Sequence, residues 1–138
     1  MALNIAVWHD PPSGGAQRSL SEMLSGLQQR GHKVNIFRLG MAHQDATSEE
    51  AYGMATEVVP FHLTSHRRRA FYWNDLQTWR DWSREEQIER DLAASIDDGE
   101  YDVVLVSVLR WGVAPSLLRF THVPTIYYCH EPPRRFYE

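Results

Sequence analysis

A chain of 138 residues with a formal net charge of −4 and a 43% hydrophobic share fits one domain with a core of its own. The acidic balance removes any bulk electrostatic reason to bind nucleic acid, and no run approaches the ~20 apolar residues that cross a bilayer. A single cysteine, Cys129, excludes an internal disulfide and fits a reducing compartment. The opening MALNIAVWHD has no basic, apolar leader pattern, so a cytoplasmic location is expected.

Leu3 to Trp8 is apolar except for Asn4 and does not alternate, the pattern of a strand buried on both faces of a parallel sheet. HDPPSGGA then breaks the chain with two prolines and two glycines. From Ala16 the spacing of Leu20, Met23, Leu24 and Leu27 predicts one apolar helix face, and Gly31 stands where a helix commonly stops. KVNIFRL (33–39) reads as a second strand, completing a βαβ unit. Residues 40–55 read as a loop and Thr56 to Phe61 as a third strand. Residues 65–98 are helix-biased, with a stripe of Ile88, Leu92 and Ile96 that ends at Gly99. Asp102 to Val108 is the most apolar strand, Val113 to Phe120 a short helix started or interrupted near Pro115, and Thr125 to Cys129 a fifth strand. This order predicts an α/β fold with a Rossmann-like, doubly wound parallel sheet. Ligands of such sheets bind beyond the C-terminal strand ends, where His9–Ala16, Leu109–Gly112 and His130–Arg134 should meet.

Several residues there could carry chemistry. Gly14 and Gly15 precede a helix N-terminus, where backbone N–H groups and the helix dipole favour an anion. A tight turn needing positive φ explains the same glycines, and spacing alone leaves both readings open. Neither the dinucleotide fingerprint nor a P-loop is present, and Arg38 stands where an acidic residue would end the second strand. His130 with Glu131, at the end of the fifth strand, could bind a sugar hydroxyl or stabilise developing charge; a structural histidine is the alternative. His9, Asp10, His130 and Glu131 have ligand types that suit zinc or manganese but lack a diagnostic spacing, so no metal is expected. HRRRAFYWNDLQTWRDW interleaves Arg67, Arg68 and Arg69 with aromatics. It would suit a membrane interface or an anionic acceptor, but Asp75, Asp81, Glu85 and Glu86 dilute the charge and favour a solvated cluster whose aromatics pack inward.

Taken in order, Gly14-Gly15-Ala16, Arg30-Gly31-His32-Lys33-Val34, YDVVLVSV and PTIYYCHEPPRRFYE resemble the N-terminal domain of family 4 glycosyltransferases (glycosyl transferases group 1). The resemblance touches both ends of the chain and adds little over residues 40–100. It implies half of a GT-B fold, in which two Rossmann-like domains face a cleft. Residues 1–138 would be the acceptor-side domain, receiving a sugar or glycolipid acceptor, and the donor-binding C-terminal domain would be absent. It also implies retention at the anomeric carbon with no cofactor or metal, a nucleotide-diphosphate sugar being the donor substrate. By residue match, Gly14, Gly15 and Ala16 would approach the donor diphosphate. Arg18 falls at an often charged position, His130 would contact the donor sugar, and Glu131 would orient His130 or touch substrate. The expected partner is the missing domain, on this chain or a separate one, with room for peripheral membrane contact and no nucleic acid. The rival expectations are a non-catalytic partner subunit of a split transferase and an unrelated Rossmann-like enzyme using His9, Asp10, His130 and Glu131. Apolar surface is also expected to lie uncovered beside the fifth strand.

Overall fold

The computed structural model describes residues 1–10, 15–40, 56–60, 71–109 and 115–129. In chain order they form β1 (Asn4–Asp10), α1 (Gly15–Gln29), β2 (Lys33–Gly40), β3 (Thr56–Pro60), α2 (Phe71–Asp97), β4 (Val103–Leu109), a 3₁₀ helix (Ser116–Arg119) and β5 (Thr125–Tyr128). Five parallel strands lie in the order β3-β2-β1-β4-β5. The chain runs outward from β1 to β3, then returns to the other side of β1. The switch in strand order therefore falls between β1 and β4, as the doubly wound reading expects.

The two faces of β1 explain its non-alternating apolar run. Ile5 and Val7 pack with Leu20 and Leu24 of α1 and with Val34, Ile36 and Leu105. Ala6 and Trp8 point the other way, into Phe37, Leu39, Val104, Val106, Leu117 and the Leu92, Ala93 and Ile96 stripe of α2. Both expected helix stripes thus meet the sheet, with Met23, Leu27 and Ile88 packed at their margins. The short helix starts near Pro115, one of the two placements its sequence allows. Pro115 caps it in an extended conformation (φ −60°, ψ 137°), so the 3₁₀ turn begins only at Ser116.

The N-terminal edge of the sheet is bound by polar contacts from three strand starts. Gly31 takes φ +87°, a left-handed conformation that stops α1 and turns the chain into β2. His32 Nδ1 then accepts the Leu3 amide, and the Lys33 amide donates to the Leu3 carbonyl at 2.8 Å. Asp102 accepts the Asn4 amide at 2.7 Å and returns its own amide to the Asn4 carbonyl at 2.9 Å. Tyr101 sets its ring edge-on to Phe37 and accepts from Asn35 at its hydroxyl.

α2 also holds the connection from β4 to β5. Asp97, its last residue, accepts from the Thr121 hydroxyl at 2.6 Å and from the amides of His122 and Val123. β5 is an edge strand, and its Ile126 and Tyr128 are 56% and 38% exposed. These two residues lie opposite Leu105 and Ser107, on the face that α1 covers further along the sheet. Among the described residues no helix is long and apolar enough to cross a membrane.

Candidate functional site

All five strands end on one edge, and β1, β4 and β5 bring Asp10, Leu109 and Tyr128 to it side by side. Trp8 pairs with Val106 but Asp10 with Leu109, so β4 carries one extra residue at this edge. Such a bulge bends the strand end and redirects its side chains. His9 and Ser107, next to this irregularity, are both buried.

α1 begins at Gly15, just beyond the end of β1, and no acidic residue lies in its first turn. Its leading N–H groups and dipole therefore face no carboxylate from their own helix. Gly15 is exposed, Ala16 half-buried and Arg18 exposed. A Cβ added at Gly15 would meet nothing within 4 Å among the described residues, and its φ lies outside the left-handed range that demands glycine. The turn explanation thus fails at Gly15, and among the described residues no packing contact accounts for the missing side chain. Gly14, His130 and Glu131 lie outside the described residues, as do Arg67–Arg69 and the side chains of Asp10 and of Tyr72, Trp73, Trp79 and Trp82. Among the described residues no group of three or more His, Cys, Asp or Glu gathers as a metal site requires.

Spacing alone singles out neither of two carboxylates on α2 whose surroundings the structure shows. Glu89 is 2% exposed and accepts from the Trp8 indole Nε1–H at 2.8 Å and from the Leu117 amide at 3.2 Å. Burial pushes its carboxyl above the ordinary 4.5, although the bonds from Trp8 and from the Ser116 and Leu117 amides work the other way. The signal in the sequence is a lone acid on the apolar stripe: Glu89 precedes Leu92, Ala93 and Ile96 by three, four and seven residues. Asp97 is held at about 2, below the ordinary 3.8. Its slight burial raises the value. The Thr121 hydroxyl, the His122 ring and the His122 and Val123 amides lower it further by stabilising the charged form.

The parallel order, the crossovers and the switch between β1 and β4 define a Rossmann-like α/β domain. Similar folds include a glycotransferase of kitacinnamycin, 22% identical with a TM-score of 0.56, of which the match covers 93% of this chain and 30% of that one. The C-terminal domain of a Pyrococcus furiosus hydrogenase is 13% identical with a TM-score of 0.57, matched over 92% of this chain and 91% of its own. At these identities the likeness is one of fold, and two such different proteins show that the fold alone does not name a chemistry. No curated protein matches the chain significantly. The sequence profile of Glycosyltransferase Family 4, however, matches residues 13–138. The chain belongs to Glycosyltransferase Family 4, and it spans under a third of the glycotransferase chain whose fold it shares.

Proposed function

We propose that this chain is the N-terminal, acceptor-side half of a retaining glycosyltransferase that uses a nucleotide-diphosphate sugar and takes a sugar or glycolipid acceptor. The observation that carries the reading is the family match over residues 13–138, on a sheet at whose C-terminal edge α1 starts with no acidic residue in its first turn. Glycine at 15 lets a diphosphate approach the first-turn N–H groups, which favour negative charge. Ala16 keeps that approach narrow but passable, and Arg18 adds a cation one turn on. In the same reading His130 lies against the donor sugar near its reacting carbon, and Glu131 orients it. Charge developing at the transferring sugar must be stabilised from both sides, so a second, donor-binding half completes the site and the isolated chain is inactive. The half works in the cytoplasm, in solution or against a membrane surface.

The test is nucleotide-sugar turnover by the 138-residue chain and by the full polypeptide that carries it. The expected outcome is transfer by the full polypeptide alone, with the anomeric configuration of the product retained by NMR. Comparable turnover by the 138-residue chain overturns the two-halves reading, and an inverted product overturns retention. Activity that appears only on adding a separate donor-binding chain assigns this one as the partner subunit of a split enzyme.

A further inference from the structure

Glu89 joins two segments that are 109 positions apart in the chain and adjacent at the site edge. One of its oxygens takes the indole N–H of Trp8, the residue directly before His9, Asp10 and the turn into α1. The other takes the amide of Leu117, at the start of the 3₁₀ helix reached from β4. Both bonds end on the same buried carboxylate, so neither the end of β1 nor the start of the 3₁₀ helix can shift without stretching a bond whose other half fixes its neighbour.

The placement follows from α2. Asp97 closes that helix at the level of the β5 start, where it holds residues 121–123. Glu89, eight positions earlier, lies about 12 Å nearer the C-terminal edge. One helix therefore grips the β4–β5 crossover at both ends, and only the upper grip reaches β1. A buried carboxylate is a poor source of net stability, because desolvation offsets most of its attraction. An apolar residue on this stripe would pack against Trp8 and Leu117 without that cost. What an apolar residue could not do is fix the angle of the indole and the start of the 3₁₀ helix together, which requires two directional bonds.

We propose that Glu89 is a positioning residue for sugar transfer, setting the end of β1 and the start of the 3₁₀ helix relative to each other through Trp8 and Leu117. This rests on the transferase reading above. Glutamine at 89 keeps the shape but offers one acceptor oxygen, and its amide N–H faces whichever donor is left.

The experiment compares the full polypeptide with its Glu89→Gln, Trp8→Phe and doubly substituted forms, with nitrogen-15 in the tryptophans. In Glu89→Gln the Trp8 indole N–H resonance should move upfield. Amide exchange at Trp8 to Asp10 and at Leu117 should quicken on the order of tenfold, the scale of one lost charge-assisted hydrogen bond, while β2 and the C-terminal half of α1 stay within about threefold. Turnover should fall by roughly tenfold or more, and KM for the nucleotide sugar should rise with it, because the proposed diphosphate contact at the start of α1 follows on the end of β1 that Trp8 fixes. The double form should lose no more than the worse single form, because both act through one bond. Should Glu89→Gln fail to fold, Trp8→Phe carries the test, because it leaves Glu89 and its bond to Leu117 in place. Full turnover in folded variants, or loosening spread evenly over the sheet, overturns the proposal and makes Glu89 a stabilising residue only. If the unsubstituted polypeptide transfers no sugar, the transferase reading falls, and the exchange pattern alone decides whether Glu89 couples the end of β1 to the start of the 3₁₀ helix.

Discussion

His32 accepts the backbone N–H of Leu3 at its Nδ1, 3.1 Å away, and so ties the start of β2 to the residue before β1. The geometry needs the ring proton on Nε2 and the turn that Gly31 makes at φ +87°. Replacing His32 with alanine leaves a half-buried amide without that partner. The expected loss is about 1–2 kcal/mol, read as a lower urea midpoint with an unchanged slope. The contact is at the N-terminal edge of the sheet, so transfer by the full polypeptide at 25 °C should stay within about twofold. A stability unchanged in His32→Ala would show the bond to be replaceable by water.

The two carboxylates of α2 give opposite pH signatures. The folded value of Asp97 lies below its ordinary one, so its stabilisation is present above 3.8 and is lost as pH falls through about 2. The folded value of Glu89 is raised, so its contribution is fullest below 4.5 and is lost as pH rises through the raised value. Asp97→Asn should therefore weaken the fold at pH 6 and flatten the acid limb between 3.8 and about 2. The amide contacts should dominate that loss. The His122 ring, 92% exposed at 2.9 Å from Asp97, forms a pair that solvent screens heavily. Urea titrations of the two proteins at several pH values check this. An acid limb that survives Asp97→Asn places its origin elsewhere.

Ile126 and Tyr128 stand two apart on one face of the edge strand, half or more uncovered in the first case and over a third in the second. An apolar pair beside an open strand edge invites association. The 138-residue chain should show concentration-dependent light scattering, and Ile126→Thr with Tyr128→Thr should reduce it without lowering the melting temperature by more than a few degrees. A chain that scatters as a monomer at high concentration would show that the pair is innocuous.

The fold was legible in the sequence to a greater extent than the site, and the reason is physical. Burial on both faces makes β1 and β4 non-alternating apolar runs, and the stripes of Leu20 with Leu24 and of Leu92 with Ile96 record which helix side meets the sheet. The arginine-glycine-histidine and tyrosine-aspartate motifs carried much of the family resemblance. Gly31, His32, Tyr101 and Asp102 bind the edge of the sheet away from the site, so those motifs report architecture. Periodicity singles out neither Glu89 nor Asp97, because it detects apolar positions: the buried Glu89 looks like an interruption of the stripe, and the half-buried Asp97 like an ordinary polar helix end. Their partners, Trp8 and Thr121 to Val123, are 81 and 24 to 26 positions away, beyond what local pattern encodes.

Gly15 separates the needs of the fold from those of the proposed reaction. Among the described residues a methyl group there meets no atom within 4 Å, and no positive φ forbids it. Alanine is also the better helix former, and it restricts the unfolded chain. Gly15→Ala should therefore leave stability unchanged or raise it by about 0.4–1 kcal/mol. If a diphosphate comes up against this backbone, the same methyl intrudes on the approach, and Gly15→Val intrudes further. The full polypeptide should lose turnover in the order glycine, alanine, valine, with KM for the nucleotide sugar rising about tenfold or more for valine. Melting curves and saturation kinetics on the three proteins decide the matter. Stability unchanged together with unchanged KM across the series would mean that nothing approaches the start of α1, and the diphosphate would have to be held by other groups.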